Sequence, residues 1–129
     1  SCHPGKFFYL KGMPTFILYA NTDKPNKEQS DFIHQQASEI LAHEIGKSKD
    51  FVMTFLQFGA DLKFGSSDEP CAYAEVKNVG ELSSGCTSSI SSALAELIEK
   101  ALHVPQSRFY LEFQEAERRL WAWSGKTFG

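Results

Sequence analysis

The chain contains the same strand–helix–strand pattern twice, and this repeat constrains its fold more than any other feature. Aligning the apolar segments 51–55 and 109–113 places the two halves 58 residues apart, and the same offset carries Pro14 onto Ala72 at the start of another apolar segment. Right-handed crossovers pair the two strands of each half in parallel. The sequence therefore predicts an α/β (α+β) fold in which two βαβ repeats form a four-stranded mixed sheet with two helices on one face.

The boundaries of these elements follow from periodicity and from turn residues. Asn26 and Gln29 have the spacing of a capping box, and helical spacing of apolar residues continues from there until Gly46. A second apolar stripe begins after the small polar segment 83–89 and ends at Pro105. The predicted strands, rich in apolar, β-branched and aromatic residues, are 14–22, 51–58, 71–79 and 109–113.

A sheet covered by helices on one face only leaves its second face bare. Because the predicted strands are apolar on both sides, we expect another subunit to cover that face, so that burial alone predicts an oligomer. The segment 120–128 remains as an aromatic tail suited to a seam between subunits.

Composition argues against several classes of partner. The chain has 13 Lys and Arg against 16 Asp and Glu, a net charge of −3, and these charges are scattered, which argues against nucleic acid and against a polybasic membrane surface. No apolar run approaches the roughly 18 residues of a membrane span, and the first twelve residues lack the apolar core of a signal peptide. Three cysteines make no disulfide framework. We expect a protein of a reducing, cytoplasmic compartment.

Several separated motifs together carry a family resemblance. They are Met13-Pro14, Gly46-Lys47 before a strand, the segment 64–72 (FGSSDEPCA), Val79-Gly80, the segment 105–110 with Arg108, and the ending 123–129 (WSGKTFG). Over residues 13–129 the chain resembles the tautomerase superfamily, in the branch of macrophage migration inhibitory factor and D-dopachrome tautomerase. The resemblance implies a homotrimer with active sites between subunits. It also divides the chain into an N-terminal extension, 1–13, which is a tag or a pro-segment, and a single domain, 14–129.

The resemblance further implies a cofactor-independent keto–enol tautomerase of small aromatic α-keto acids of the phenylpyruvate type. Proton removal next to a carbonyl needs a base with a pKa near neutrality, and an α-amino group at about 7.7 to 8.0 is already close. If Pro14 is the free N-terminus, an apolar pocket and the nearby cation of Lys47 would lower the pKa of its amine further. Lys47 would bind the substrate carboxylate and stabilise the enolate oxygen. The other positions implied as substrate-binding are Val79, Tyr110, Glu112, Trp121, Trp123 and Phe128.

Three departures from the family pattern bear on function. The segment 71–74 (CAYA) lacks the second thiol of the cytokine's Cys-Ala-x-Cys, so thiol oxidoreductase activity is not expected. Glu112 replaces an asparagine in the pocket, and its charge would oppose an anionic substrate unless it is turned away. Trp121 replaces a small aliphatic residue on the pocket rim, where it would narrow the entrance or add a stacking wall.

Alternatives stay open at this point. With residues 1–13 attached, Pro14 is an amide without basicity, and the chain would then be a trimeric, cytokine-like or interaction protein without catalysis, with a receptor as its partner. Pro14 is also an ordinary first residue of a strand, and Lys47 an ordinary cation at a helix end. The histidines show no metal-ligand spacing, so no metal site is expected. Export without a signal peptide, known in this family, also stays open.

Overall fold

The computed structural model describes residues 13–129, so the predicted N-terminal extension lies outside the described residues apart from Met13. Within them, four strands form one sheet in the order β2-β1-β3-β4, and a short hairpin, β5-β6, follows near the C-terminus. The strands are β1 (Thr15–Ala20), β2 (Met53–Gln57), β3 (Ala72–Val79), β4 (Phe109–Ala116), β5 (Ala122–Trp123) and β6 (Lys126–Thr127), and the helices are α1 (Lys27–Ile45) and α2 (Ser84–Leu102).

The strand directions confirm the predicted pair of βαβ units. β1 pairs with β2 in parallel across the α1 crossover, and β3 pairs with β4 in parallel across α2. β1 and β3 are antiparallel at the centre, so the sheet is mixed. The buried residues of the helices and of the sheet face beneath them form one core, which includes Phe16, Leu18, Ala74, Val76, Ile33, Leu41, Ile90, Leu94 and Ile98.

The first helix begins and ends where the sequence predicts. Asn26 Oδ1 accepts a hydrogen bond from the Gln29 N–H at 2.8 Å, and Gln29 Oε1 accepts one from the Asn26 N–H at 3.3 Å, which completes the capping box. Gly46 ends the helix in the left-handed conformation, with φ of 83°. A residue without a Cβ adopts this conformation without strain. The helix therefore ends at Gly46, and Lys47 follows directly at the end of the sheet.

We expect Asn26→Ala to lower the free energy of unfolding by about 1 kcal/mol, because it removes the acceptor for the Gln29 N–H at the start of α1. Asn26→Ser keeps a capping oxygen and should stay close to the original protein. The midpoint of urea unfolding, measured at one fixed protein concentration, checks both variants. Equal midpoints for the alanine and serine variants would contradict a role for the cap.

The predicted spacing of the repeat is wrong by one residue from the helices onward. α1 and α2 both have 19 residues, and they begin 57 residues apart, at Lys27 and Ser84. Each half also has a short 3-10 turn ahead of its second strand, Lys49–Phe51 and Gln106–Arg108, and these again begin 57 residues apart. The 58-residue alignment therefore matches Phe55, which is 45% exposed, with Phe113, which packs against the core. A shift of one residue moves every side chain of a strand to the opposite face.

Among residues 13–129, several large side chains are exposed on the face of the sheet opposite the helices, which we call the outer face. Met53 is 68% exposed and Tyr110 is 66% exposed, and both lie on this outer face together with Phe55. Neither α1 nor α2 is long and apolar enough to cross a membrane.

Candidate active site

Pro14, Lys47 and Val79 lie at the same end of the sheet. Pro14 directly precedes β1, is buried, and accepts a hydrogen bond from the Met53 N–H at 3.1 Å through its carbonyl oxygen. Because α1 runs back against β1, its C-terminus and the following Lys47 return to the end at which β1 begins. β3 is antiparallel to β1, with Lys77 opposite Thr15, so Val79 also ends there, where it is 1% exposed. In the sequence these three residues are up to 65 positions apart.

Lys47 is half-buried at this end of the sheet. Loss of hydration on burial lowers the pKa of its ammonium from the ordinary value of 10.5. A partly desolvated cation interacts more strongly with a nearby anion than a fully hydrated one does, since less water screens it. The position therefore suits recognition of a small carboxylate.

An aromatic hollow of about 590 Å³ lies beside the residues that flank Pro14. Phe51 and Trp123 meet edge to face in its wall, with ring centroids 6.2 Å apart. Phe128 is not among the lining residues; its N–H donates to the carbonyls of Trp121 and Arg118, at 3.0 and 3.1 Å, and so holds the C-terminal hairpin in place. The lining residues are Met13, Thr15, Asp50, Phe51, Val52, Met53, Trp121, Ala122 and Trp123.

Tyr110 and Glu112 lie away from Pro14 in the same chain. Tyr110 pairs with Tyr73, which pairs with Tyr19 near the far end of β1, and the five residues from Pro14 to Tyr19 span about 17 Å at roughly 3.3 Å per residue. The Tyr110 ring meets the edge of Phe64 at 5.1 Å, in the wall of a second hollow of about 400 Å³. Tyr110 thus lies at the end of the sheet away from Pro14, and Glu112 lies between the two ends, at the level of Ile17.

Comparison with known proteins gives this arrangement a family. Residues 13–129 match the family described as macrophage migration inhibitory factor (MIF). The chain belongs to the MIF family. A MIF homolog of Brugia malayi is 31% identical over 117 residues, which are 91% of this chain and 100% of that protein. The crystal structure of a MIF homologue from Prochlorococcus marinus superposes with a TM-score of 0.82 at 35% identity, over 89% of this chain and 99% of that chain. MIF of Toxoplasma gondii gives a TM-score of 0.83 at 27% identity, over 88% and 99%.

In this MIF family member, two side chains that the sequence analysis missed hold the segment between β2 and β3. The Asn21 Nδ2 donates to the carbonyls of Leu62 and Glu69 at 3.1 and 3.0 Å and to a third at Asp68, and its Oδ1 accepts from the Cys71 N–H at 2.9 Å. The Arg108 guanidinium adds hydrogen bonds to the carbonyls of residues 67, 69 and 70. Asn21 directly follows a strand, but no spacing rule predicts contacts 41 to 50 residues away.

We expect Asn21→Ala to lower the free energy of unfolding by about 2 kcal/mol, because the Cys71 N–H and the carbonyls around it lose their partner. Asn21→Asp should cost more, since a carboxylate places negative charge against three carbonyl oxygens that now accept from an amide. Urea unfolding at fixed protein concentration measures the order of the two variants. An aspartate variant as stable as the original protein would contradict the contacts.

Glu112 does not extend freely from the sheet. The Tyr73 hydroxyl lies within hydrogen-bond distance of Glu112 Oε1, at 2.7 Å, and of Glu75 Oε2, at 2.9 Å, and shares its one proton between them. These two hydrogen bonds, the one to Glu112 first, raise the pKa of Tyr73 well above its ordinary value of 10.0, so the hydroxyl stays protonated. The sequence analysis missed Tyr73; its signal was an alternate-residue pair, Tyr73 and Glu75, on one face of a predicted strand.

Proposed function

We propose that this protein is a cofactor-independent tautomerase that interconverts the keto and enol forms of small aromatic 2-oxo acids of the phenylpyruvate type. One observation carries the proposal: Pro14 and the half-buried cation of Lys47 share one end of the sheet, beside a hollow walled by aromatic rings. Membership of the MIF family supports it. An acid with a flat ring and a carboxylate matches an aromatic wall and a nearby ammonium.

Pro14 would be the base once residues 1–13 are removed. A secondary amine at this buried position would have a pKa below the α-amino range of about 7.7 to 8.0, because burial and the charge of Lys47 both disfavour the ammonium. The neutral amine takes the proton from the carbon next to the keto group, and the electron pair of that C–H bond becomes part of the C=C bond of the enol. The carbonyl oxygen gains the negative charge and is then protonated, and the Pro14 ammonium gives up its proton to the oxygen or to water, which restores the neutral base. Ketonisation is the reverse.

Lys47 would contribute through charge. Its ammonium can pair with the substrate carboxylate and stabilise the oxygen on which the enolate charge grows. Because its pKa is lowered by lost hydration, part of the cost of stripping water from the cation is already met in the folded protein.

The same proposal requires a second copy of the chain. Tyr110 lies about 17 Å along the sheet from Pro14 and is 66% exposed, so it can reach a substrate at Pro14 only from a neighbouring subunit. The uncovered outer face, with Met53 68% exposed, is the surface on which copies would meet. We propose a homotrimer whose sites combine Pro14 and Lys47 of one copy with Tyr110 and Glu112 of the next.

The experiment compares two forms of the protein, the 129-residue chain and a chain that begins at Pro14. Tautomerisation of phenylpyruvate is followed by its ultraviolet absorbance. We expect the form beginning at Pro14 to be at least about a hundredfold more active, the contribution of a positioned general base. Equal activity would remove Pro14 as the base, and two inactive forms would instead favour an interaction protein that keeps the fold without the chemistry.

A further inference from the structure

Three polar side chains form a bonded cluster on the outer face of the sheet. Tyr73 and Glu75 lie two residues apart on β3, and Glu112 lies directly opposite Glu75 on β4. The Tyr73 hydroxyl is within hydrogen-bond distance of both carboxylates, at 2.7 Å to Glu112 and 2.9 Å to Glu75. Lys77 Nζ lies 3.7 Å from Glu75 Oε1.

The number of protons limits what this cluster can do. A tyrosine hydroxyl has one proton, so it donates fully to one carboxylate at a time. A tyrosine hydroxyl keeps its proton at neutral pH, and the two neighbouring carboxylates raise the pKa of Tyr73 further. Lys77 partly compensates the charge of Glu75, whereas no ion pair described for residues 13–129 joins Glu112 to a cation. The shorter bond goes to Glu112, the carboxylate without that compensation.

The cluster also fixes where the Glu112 carboxylate lies. Glu112 and Tyr110 are two residues apart on β4 and therefore point to the same face. On the other side the Tyr73 ring stacks on Tyr19, with centroids 6.5 Å apart and planes at 19°, which restricts the direction of its hydroxyl. The carboxylate is thus held next to the Tyr110 ring instead of moving in solvent.

We propose that Tyr73 is a positioning residue that presents the Glu112 carboxylate as a hydrogen-bond acceptor for a hydroxyl or amino group on the ring of the substrate. The inference rests on the proposed function, because Glu112 would face a substrate held by Pro14 of the neighbouring copy. When a ring donor reaches Glu112, the Tyr73 proton turns to Glu75, which is already at 2.9 Å. A ring without a donor takes Glu112 out of water and gives it no new partner, which weakens binding.

The test uses the form that begins at Pro14 and two substrates of similar size, the 4-hydroxy and the 4-methyl derivatives of phenylpyruvate. We expect the original protein to show a KM about 5 to 10 times lower for the hydroxy compound, the effect of one oriented hydrogen bond. Tyr73→Phe should reduce this preference to about twofold or less with kcat little changed, since only the orientation of Glu112 is lost.

Tyr19→Phe is the matched control. It removes a hydroxyl from the ring stacked on Tyr73, and none of the hydrogen bonds described for residues 13–129 involves that hydroxyl. The Tyr19 variant should keep the preference for the hydroxy compound. A Tyr73→Phe protein that retains the full preference, or a Tyr19→Phe protein that loses as much of it, would overturn the proposal.

A titration separates this inference from the proposed function. Glu112→Gln should lower the alkaline midpoint of one tyrosine, measured by tyrosinate absorbance, because a neutral amide no longer opposes a negative phenolate. An unchanged midpoint would remove the bond on which the inference stands. If the original protein turns over neither acid, the proposed function fails, and quenching of tryptophan fluorescence by the two acids still measures whether Tyr73 sets a preference between them.

Discussion

Replacing Lys47 by Met, in the form of the chain that begins at Pro14, is expected to reduce kcat/KM for phenylpyruvate about 10²- to 10³-fold. Loss of a preorganised charge that stabilises a developing oxyanion has effects of this size. Lys47 is half-buried and its pKa is lowered by lost hydration, so its charge acts in a medium that screens it less than bulk water does.

The same variant should change the pH dependence in a defined direction. The base acts as a neutral amine, so activity rises with pH through the pKa of Pro14. The positive charge of Lys47 disfavours the Pro14 ammonium and lowers that pKa, and its removal therefore raises the pKa and moves the rising limb to higher pH. Lys47→Arg keeps the charge and should keep the limb in place, with a smaller loss of activity because the guanidinium has a different shape. A methionine variant whose limb does not move would argue against contact between the two groups.

Mixing two inactive proteins is expected to restore activity if each site is built by two copies. The first is the 129-residue chain, in which Pro14 is an amide and Tyr110 is intact. The second begins at Pro14 and carries Tyr110→Ala. After joint unfolding and refolding at equal amounts, about a quarter of the sites should combine Pro14 of the second protein with Tyr110 of the first, since each position is filled at random.

The control for this experiment is the same mixture made without unfolding, in which existing assemblies do not exchange and activity should stay low. Activity that never exceeds the sum of the separate proteins would contradict a shared site. Within one chain, Tyr110 and Pro14 are separated by about 17 Å along the sheet and do not come together. A failure to restore activity would therefore mean that Tyr110 does not take part in the site.

The parts of the fold that could be predicted from the sequence depend on residues close together in the chain. The capping box at Asn26 and the stop at Gly46 involve contacts three or four residues long, so periodicity and turn chemistry suffice. The alignment of residues 51–55 with 109–113 failed because Phe51 is the last residue of a 3-10 turn, whereas Phe109 is the first residue of β4. Composition does not distinguish an apolar residue that ends a turn from an apolar residue that begins a strand.

For the site as well, the sequence predicts only what depends on local motifs. The motifs indicated Pro14 and Lys47, and the strand directions then explain why both lie at the same end of the sheet. The charge of Glu112 was expected to oppose an anionic substrate, but its partner Tyr73 lies 39 residues away and depends on the register of β3 against β4. The hydrogen bonds of Asn21 depend on the path of a loop in the same way. Interactions of this kind need coordinates, because no local pattern specifies them.

The length of β3 has a consequence for communication within the assembly. This strand has eight residues, with Tyr73 near one end and Val79 at the other. In a ring of copies that share sites as proposed, its first end borders the substrate held by one neighbour and its last end borders the substrate held by its own Pro14. If a ligand at one end displaced this strand along its axis, the displacement would reach the neighbouring site as well, and saturation curves for the assembly would then depart from independent binding.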